Sequence, residues 1–252
     1  VCVESLEKMI DERVRLVSVT HVPTNGGLVN PVEAIGKVAK QHGILYLVDA
    51  CQSAGQMPLD VNAINCDFLS ATGRKFLRGP RGVGFVFVSK PVLASLHPPV
   101  VDLFSATWID ADHYELRQDA RRFENWESNY AAKLGLGSAI EYALDIGLDN
   151  IEAEVSRLAD ILRGMLAEVP GVSVHDIGKR KCGIVTFSVA GIAATDVEVR
   201  LRENNVQVSV SSPVSTLIDA TRRKLPDLVR SSVHYYNREA ELEALVNVVK
   251  SL

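Results

Sequence analysis

Two side chains carry the chemistry that this sequence offers, Asp49 and Lys75. Asp49 ends the run Ile44-Leu45-Tyr46-Leu47-Val48, whose unbroken apolar, β-forming character predicts a strand buried on both faces of a parallel sheet. A carboxylate at the carboxyl end of such a strand stands where open α/β sheets take their ligands, and burial there is costly unless a cation answers it. A second strand, Phe68-Leu69-Ser70, delivers Ala71-Thr72-Gly73-Arg74-Lys75, and the loop runs on through Gly79-Pro80-Arg81-Gly82-Val83-Gly84 into a third. Singly, a strand-end acid caps a turn and a loop lysine points into water. Together, an amine that forms an imine with a carbonyl and an acid that keeps a heterocyclic nitrogen protonated are what pyridoxal phosphate chemistry needs.

Val48-Asp49-Ala50-Cys51-Gln52-Ser53, followed in order by Thr72-Gly73-Arg74-Lys75 and Gly79-Pro80-Arg81-Gly82-Val83-Gly84, resembles the class V aminotransferases. That family of fold-type I pyridoxal phosphate enzymes includes cysteine desulfurases, selenocysteine lyases and isopenicillin N epimerases. The resemblance covers nearly the whole chain. It makes Asp49 the partner of the pyridinium nitrogen, Gln52 the donor to the ring oxygen and Lys75 the Schiff-base lysine. Thr72 and Arg74 fall where the family contacts the cofactor phosphate with a serine or threonine and a histidine, and the guanidinium of Arg74 offers a fixed fork of donors for that task. In the loop Val22-Pro23-Thr24-Asn25-Gly26-Gly27, the family's substrate-binding asparagine falls on Thr24, with Asn25 adjacent. His21, just before it, reads equally as a structural residue or a site residue. Leu228-Val229-Arg230-Ser231-Ser232-Val233-His234 carries the second specific likeness, which makes Arg230 the residue that grips the α-carboxylate of an amino-acid substrate. A solvent-facing strand arginine is the alternative.

The resemblance also has departures. Phe123-Glu124-Asn125-Trp126-Glu127-Ser128-Asn129 sits where the family reaches the neighbouring subunit's phosphate through a threonine, so it implies a homodimer interface. Glu127 stands at or beside that position and would repel phosphate, leaving Ser128 or a backbone amide to substitute. The family's earlier residues supply a glycine-containing phosphate loop at a helix N-terminus and a histidine that stacks on the ring. Residues 1–15 hold no counterpart, so the sequence resembles a member lacking its N-terminal region, with weak cofactor binding as the expected consequence. Desulfurases of the family take sulfur on a mobile-loop cysteine, whereas the corresponding residues 207–216 contain serines and no cysteine. Serine is a poor persulfide acceptor, and Cys182 reads as a small buried residue at a strand start. What remains is chemistry at the α-carbon with Lys75 as general base: transamination, loss of a β-substituent by a C–S lyase, or epimerisation. A cofactor-free fragment that dimerises or binds a partner around Trp108 and Trp126 is the reading of a different class. A generic nucleotide-binding domain has no GxGxxG or GxxxxGK[ST] pattern to support it.

The elements that position these groups are legible from periodicity. Val3, Leu6, Met9 and Ile10 have amphipathic helical spacing, residues 15–21 read as a strand, and Pro31 opens a helix with Asn30 as its cap and Val32, Ile35, Val38 and Ala39 inward. Strand, helix, strand predicts right-handed crossovers in an α/β sheet, with a short turn at residues 60–64. Residues 101–127 carry no period and read as irregular. Helices follow at residues 131–146, where Leu134, Leu136, Ile140 and Leu144 are apolar and Gly135 and Gly137 permit close packing, and at residues 149–168. Short strands at 172–174, 184–188 and 206–210 alternate with helices near 195–204 and 238–252. The expectation is thus a partial large domain with a mostly parallel sheet, residues 1–147, binding pyridoxal phosphate, and a small C-terminal α+β domain, residues 148–252.

The totals exclude several classes. With 252 residues and a net charge of −4, the chain has a sizeable core and no basic stripe for nucleic acid; Arg121-Arg122 and Arg222-Arg223-Lys224 read as solvated faces. No apolar stretch approaches the roughly 20 residues of a membrane span, and the first residues do not read as the basic then apolar plan of a signal peptide. The four cysteines lack the spacing of a metal site, which points to reduced thiols in a cytoplasmic protein and to no bound metal.

Overall fold

The apolar runs around Asp49 and Thr72 do become strands. The computed structural model describes residues 1–252 and resolves them into two compact units, the first of Val1–Thr20, Pro31–Cys51 and Leu59–Tyr142, the second of His21–Asn30, Gln52–Pro58 and Ala143–Leu252. In the first unit, α1 (Val3–Glu7) precedes β1 (Leu16–Thr20), α2 (Val32–Gln41) connects to β2 (Leu45–Asp49), α3 (Val61–Ile64) connects to β3 (Phe68–Thr72), and β4 (Gly84–Val88) follows. The sheet runs β1-β2-β3-β4, parallel across its first three strands and antiparallel at the last pair. Helical crossovers are what parallel neighbours require.

Burial along β2 alternates. Tyr46 and Val48 are fully buried, whereas Leu45, Leu47 and Asp49 are half-buried, so the strand is fully covered on one face and partly on the other, less than its composition predicts. Val17, Val19, Ile35, Ala39 and Leu69 complete the core beside Tyr46, whose hydroxyl donates to the Val32 carbonyl at 3.0 Å. Gly36 allows α2 to meet α3: a Cβ there would lie 1.8 Å from the Ile64 carbonyl oxygen. Pro31 takes the cap position of α2 rather than its first turn.

After α4 (Lys90–Leu93), the stretch expected to be irregular holds an antiparallel hairpin, β5 (Ala106–Trp108) and β6 (Tyr114–Leu116). A 3-10 turn at Ala120–Phe123 and α5 (Tyr130–Ile146) follow. Arg122 is not solvated as the sequence suggests. It is buried, and its guanidinium donates to the carbonyls of Arg117 (2.6 Å), Leu93 (3.0 Å) and Leu96 (3.2 Å). On α5, Gly135 lies against Pro80, where a Cβ would meet Cγ at 2.9 Å, while Gly137 has open space; Leu134 is exposed.

The second unit contains α6 (Leu148–Ala167), β7 (Val172–Val174), β8 (Ile184–Val189), α7 (Ala194–Glu203), β9 (Ser209–Ser211), a 3-10 turn at Pro213–Thr216, α8 (Leu217–Arg223), β10 (Leu228–Ser232) and α9 (Glu239–Lys250). Its sheet, β7-β8-β10-β9, is antiparallel throughout. Leu158, Leu162 and Leu166 of α6 pack with Phe187, Val197, Val229 and Leu245. Beneath them Arg163 donates to Asp176 at 2.7 Å and to the carbonyls of Cys182 and Ile184 at 2.6 and 2.9 Å. The other Asp176 oxygen accepts the amide and hydroxyl of Thr186 at 2.9 and 2.7 Å. No helix of the chain is long and apolar enough to cross a membrane.

Candidate functional site

Asp49 closes β2 and Thr72 closes β3, and because Asp49 is level with Ser70 in this parallel pair, both residues sit at the carboxyl edge of the first unit's sheet. The pairing extends one step beyond Asp49 through the Ala50 amide on the Ser70 carbonyl, 2.8 Å. Asp49 Oδ1 accepts the Cys51 amide at 2.9 Å. Past Thr72 the chain closes on itself: Gly73 donates to Val83 (2.9 Å), Arg78 to Lys75 (2.8 Å) and Gly79 to Gly73 (2.8 Å). Gly73 suits this crowding, since a Cβ would stand 2.9 Å from Leu136 Cδ1 and 3.2 Å from the Val83 oxygen.

Lys75 is half-buried in that turn, whereas Arg74 faces solvent. The half-buried thiol of Cys51 is raised from its ordinary pKa, first by burial and then by the hydrogen bond and charge of Asp49; the Lys75 ammonium and the Thr72 amide act in the opposite sense. Asp49, Cys51, Thr72 and Lys75 therefore meet at one corner of this unit. Sequence reasoning found three of them. Cys51 lay inside the quoted motif but had no role.

Within the second unit, Gln52 is buried and donates through Nε2 to Thr24 Oγ1 at 2.9 Å. Arg230, on β10, donates through Nε to the Thr24 carbonyl at 2.8 Å, and burial lowers its pKa from the ordinary value. Asn25 is engaged elsewhere, accepting the Ser211 hydroxyl and donating to Thr216 Oγ1 at 3.4 Å. Thr24, rather than Asn25, thus joins the two other candidates of this unit. Gln56, which the sequence did not single out, is wholly buried and accepts the Gly183 amide at 3.1 Å, and its Nε2 donates to the Gln52 carbonyl. The only sequence signal for it is a second glutamine four residues after Gln52.

His21 is buried with Nδ1 unpartnered, and its pKa falls to about 4, chiefly through desolvation and then through the charge of Arg180. An unfolded imidazole takes its proton near 6.5 while the folded one stays neutral down to about 4, so acid favours unfolding. Stability is untouched above 6.5 and drops by about 3 kcal/mol as pH falls through that window. His21→Gln flattens the slope. Urea midpoints measured across the window check this, and an unchanged slope in the variant defeats it.

A profile of the aminotransferase class-V family matches residues 1–245. A probable cysteine desulfurase from Methanothermobacter thermautotrophicus is 31% identical, the match covering 98% of this chain and 62% of that protein. One from Halalkalibacterium halodurans is 32% identical, with 96% and 59% covered. Among solved structures, the apo cysteine desulfurase of Thermococcus onnurineus gives a TM-score of 0.92 at 30% identity, covering 99% of this chain and 62% of that one. The cystine C-S lyase C-DES, in complex with its reaction product cysteine persulfide, gives 0.87 at 25%, covering 99% and 64%. The chain spans about three-fifths of the length of the curated relatives it matches. These likenesses bear out the expected α/β, fold-type I architecture, and the chain belongs to the class V aminotransferases, a family of pyridoxal phosphate-dependent enzymes.

Proposed function

We propose that this chain binds pyridoxal phosphate at Asp49 and Lys75 and removes the sulfur-bearing β-substituent of an amino acid. The meeting of Asp49, Cys51, Thr72 and Lys75 at one sheet corner carries the reading. The donor set fits the cofactor: a carboxylate for a ring nitrogen, an amine for an aldehyde, and the hydroxyl of Thr72 with the guanidinium of Arg74 for a phosphate.

What the cofactor supplies when bound is a carbonyl that condenses with amines and a ring that accepts the α-carbon's electron pair. Asp49 would hold a proton on the ring nitrogen, and Gln52 would serve as the donor to the ring oxygen. The Lys75 amine takes the α-proton of the substrate and returns a proton later. Arg230 grips the α-carboxylate, with Thr24 and Asn25 as the neighbouring polar groups. Residues 1–147 serve in this reading as the cofactor domain and 148–252 as the small C-terminal domain. Exposed Trp108, Trp126, Tyr130 and Leu134 support a homodimer, and four free cysteines support a reducing, cytoplasmic setting.

Elimination into solution is preferred to sulfur transfer onto the protein. Residues 209–216 offer hydroxyls and no thiol, and burial pushes Cys66 and Cys182 up to about 11, which keeps them from being thiolates near neutrality. The relatives named above are desulfurases and a cystine C–S lyase. With cystine and water the balanced products are pyruvate, ammonia and cysteine persulfide. Supplying the chain with pyridoxal phosphate and cystine is expected to yield pyruvate and persulfide in equal amounts. Alanine in place of pyruvate, or no turnover, overturns the proposal.

Arg230→Lys is expected to raise KM by about tenfold or more, since a point charge replaces a bidentate fork, while the Lys75 adduct still forms. An unchanged KM removes Arg230 from the substrate.

A further inference from the structure

Asn25 stands beside the recognition groups of the second unit, yet its side chain is committed to one short segment. Its Oδ1 accepts the Ser211 hydroxyl and its Nδ2 donates to Thr216 Oγ1 at 3.4 Å, so one amide bridges the end of β9 and the 3-10 turn that follows. Strand register explains the meeting. Across β10 and β9, Leu228 pairs with Ser211 and Arg230 with Ser209, and directly paired residues project to the same face of a sheet. Ser211 and Arg230 are therefore neighbours on one face. The loop lays the Asn25 side chain on the first and the Thr24 carbonyl on the second, and that carbonyl belongs to the peptide unit joining Thr24 to Asn25.

We infer that Asn25 is a positioning residue, whose amide pins residues 211–216 to the loop and thereby fixes the peptide carbonyl on which Arg230 Nε rests. A loop asparagine reserved for substrate would keep its amide for the ligand, whereas this one commits both ends to the protein. The peptide unit is planar, so a side chain anchored at Asn25 limits rotation of the carbonyl just before it. A bond at Nε restrains the swing of the guanidinium and leaves the Nη pair at its end for the two oxygens of a carboxylate. Backbone bonds hold the rest of the loop: Ile177 donates to the Gly26 carbonyl at 3.1 Å and Cys182 to that of Gly27 at 2.8 Å. Gly27 leaves no slack, since a Cβ there would stand 2.7 Å from the Ile184 carbonyl oxygen. The segment on the other side of the contact is held more lightly. Val214, Leu217 and Ile218 are exposed, and Arg223 ties its far end by donating to the His175 carbonyl at 2.6 Å.

The role toward substrate rests on the reading of Arg230 given above, so the first arm of the test needs neither cofactor nor substrate. Amide hydrogen exchange, read by peptide mass spectrometry, compares the unmodified protein with Asn25→Ala, Ser211→Ala and Asn25→Asp. Asn25→Ala is expected to speed exchange across residues 211–217 by about tenfold, the scale of one to two hydrogen bonds lost from a local opening. Ser211→Ala shifts the same peptide. Asn25→Asp keeps its protection, because a carboxylate accepts from both hydroxyls. Leu158, Leu162 and Leu166, buried on α6, stay protected and report that the fold holds. Exchange at 211–217 that neither alanine variant moves overturns the latch.

In the second arm, cystine turnover is measured with pyridoxal phosphate supplied. Asn25→Ala, Ser211→Ala and the double variant are each expected to raise KM by about fivefold and to leave kcat within about twofold, because all three break one contact. An Asn25 that touched the substrate itself would raise KM in Asn25→Ala and leave Ser211→Ala at the parent value. That result, or a double variant whose effect is the product of the two single ones, overturns the positioning role. A chain whose exchange responds as expected but which turns over no cystine overturns the sulfur-removing reading instead, and the two failures are told apart.

Discussion

Replacing Lys75 by alanine is expected to abolish the borohydride-reducible adduct with pyridoxal phosphate and to lower any amino-acid turnover by about 10³-fold or more, the scale on which a positioned acid–base group works. The expectation follows from placement. Lys75 lies in a turn closed by amide bonds from Gly73, Arg78 and Gly79, and its ammonium acts on the sulfur of Cys51, whose amide is bonded to Asp49. Other lysines lack an acid at a parallel strand end as a neighbour in such a turn. In the unmodified protein, reduction and peptide mapping should therefore place the label on Lys75. Labelling spread over surface lysines, or an adduct that survives in the alanine variant, would sink the assignment. Asp49→Asn should leave the adduct but lower turnover, because an amide cannot keep a pyridine nitrogen protonated.

The second large effect is one of stability. Arg163→Met is expected to destabilise the second unit by about 3–5 kcal/mol, because it leaves the fully buried Asp176 carboxylate without its cation. Against a typical total of about 5–15 kcal/mol, that loss suffices to populate unfolded chains at ordinary temperature. Arg163 also answers the carbonyls of Cys182 and Ile184, so its removal orphans three acceptors at once. The double change Arg163→Met with Asp176→Leu should recover much of the loss, since a buried pair replaced by apolar groups is often near neutral. Urea unfolding of the parent and the two variants decides it. A single variant as stable as the parent would mean that water reaches Asp176.

Much of this was readable in the chain, and the exceptions have physical causes. β2 with Asp49 at its end, the glycine-bounded turn with Lys75, and α6 all announce themselves through composition or a sustained 3.6-residue period. The β5–β6 hairpin does not, because strands of three residues are too short to show alternation. Residues 206–210 look like one strand, but pairing with β10 begins only at Ser209, so tertiary partners rather than propensity set the boundary. Nothing in the sequence forecasts α8, whose Leu217 and Ile218 are exposed and leave no inward stripe. Arg122 was misread for a related reason: the carbonyls of Leu93 and Leu96 that permit its burial lie far away in sequence. At the candidate site, the placement of Asp49 and Thr72 at neighbouring strand ends was legible and the hydrogen-bond partners were not. That Thr24 rather than Asn25 meets Gln52 and Arg230 depends on where Ser211 and Thr216 hold Asn25.

Thr24 accepts Gln52 on its hydroxyl and Arg230 on its carbonyl, so one loop residue is the joint of the two side chains proposed for recognition. An anion that draws the guanidinium forward pulls on the carbonyl of the same residue whose hydroxyl anchors the glutamine amide, and a ligand that captures the amide slackens the hold on the guanidinium. Whatever sign this coupling takes, thermodynamic reciprocity requires it to be equal in both directions. A ligand held by Gln52 would alter affinity at Arg230 by the same factor as the reverse, and a change at Thr24 would break that conversation while leaving both recognition side chains in place.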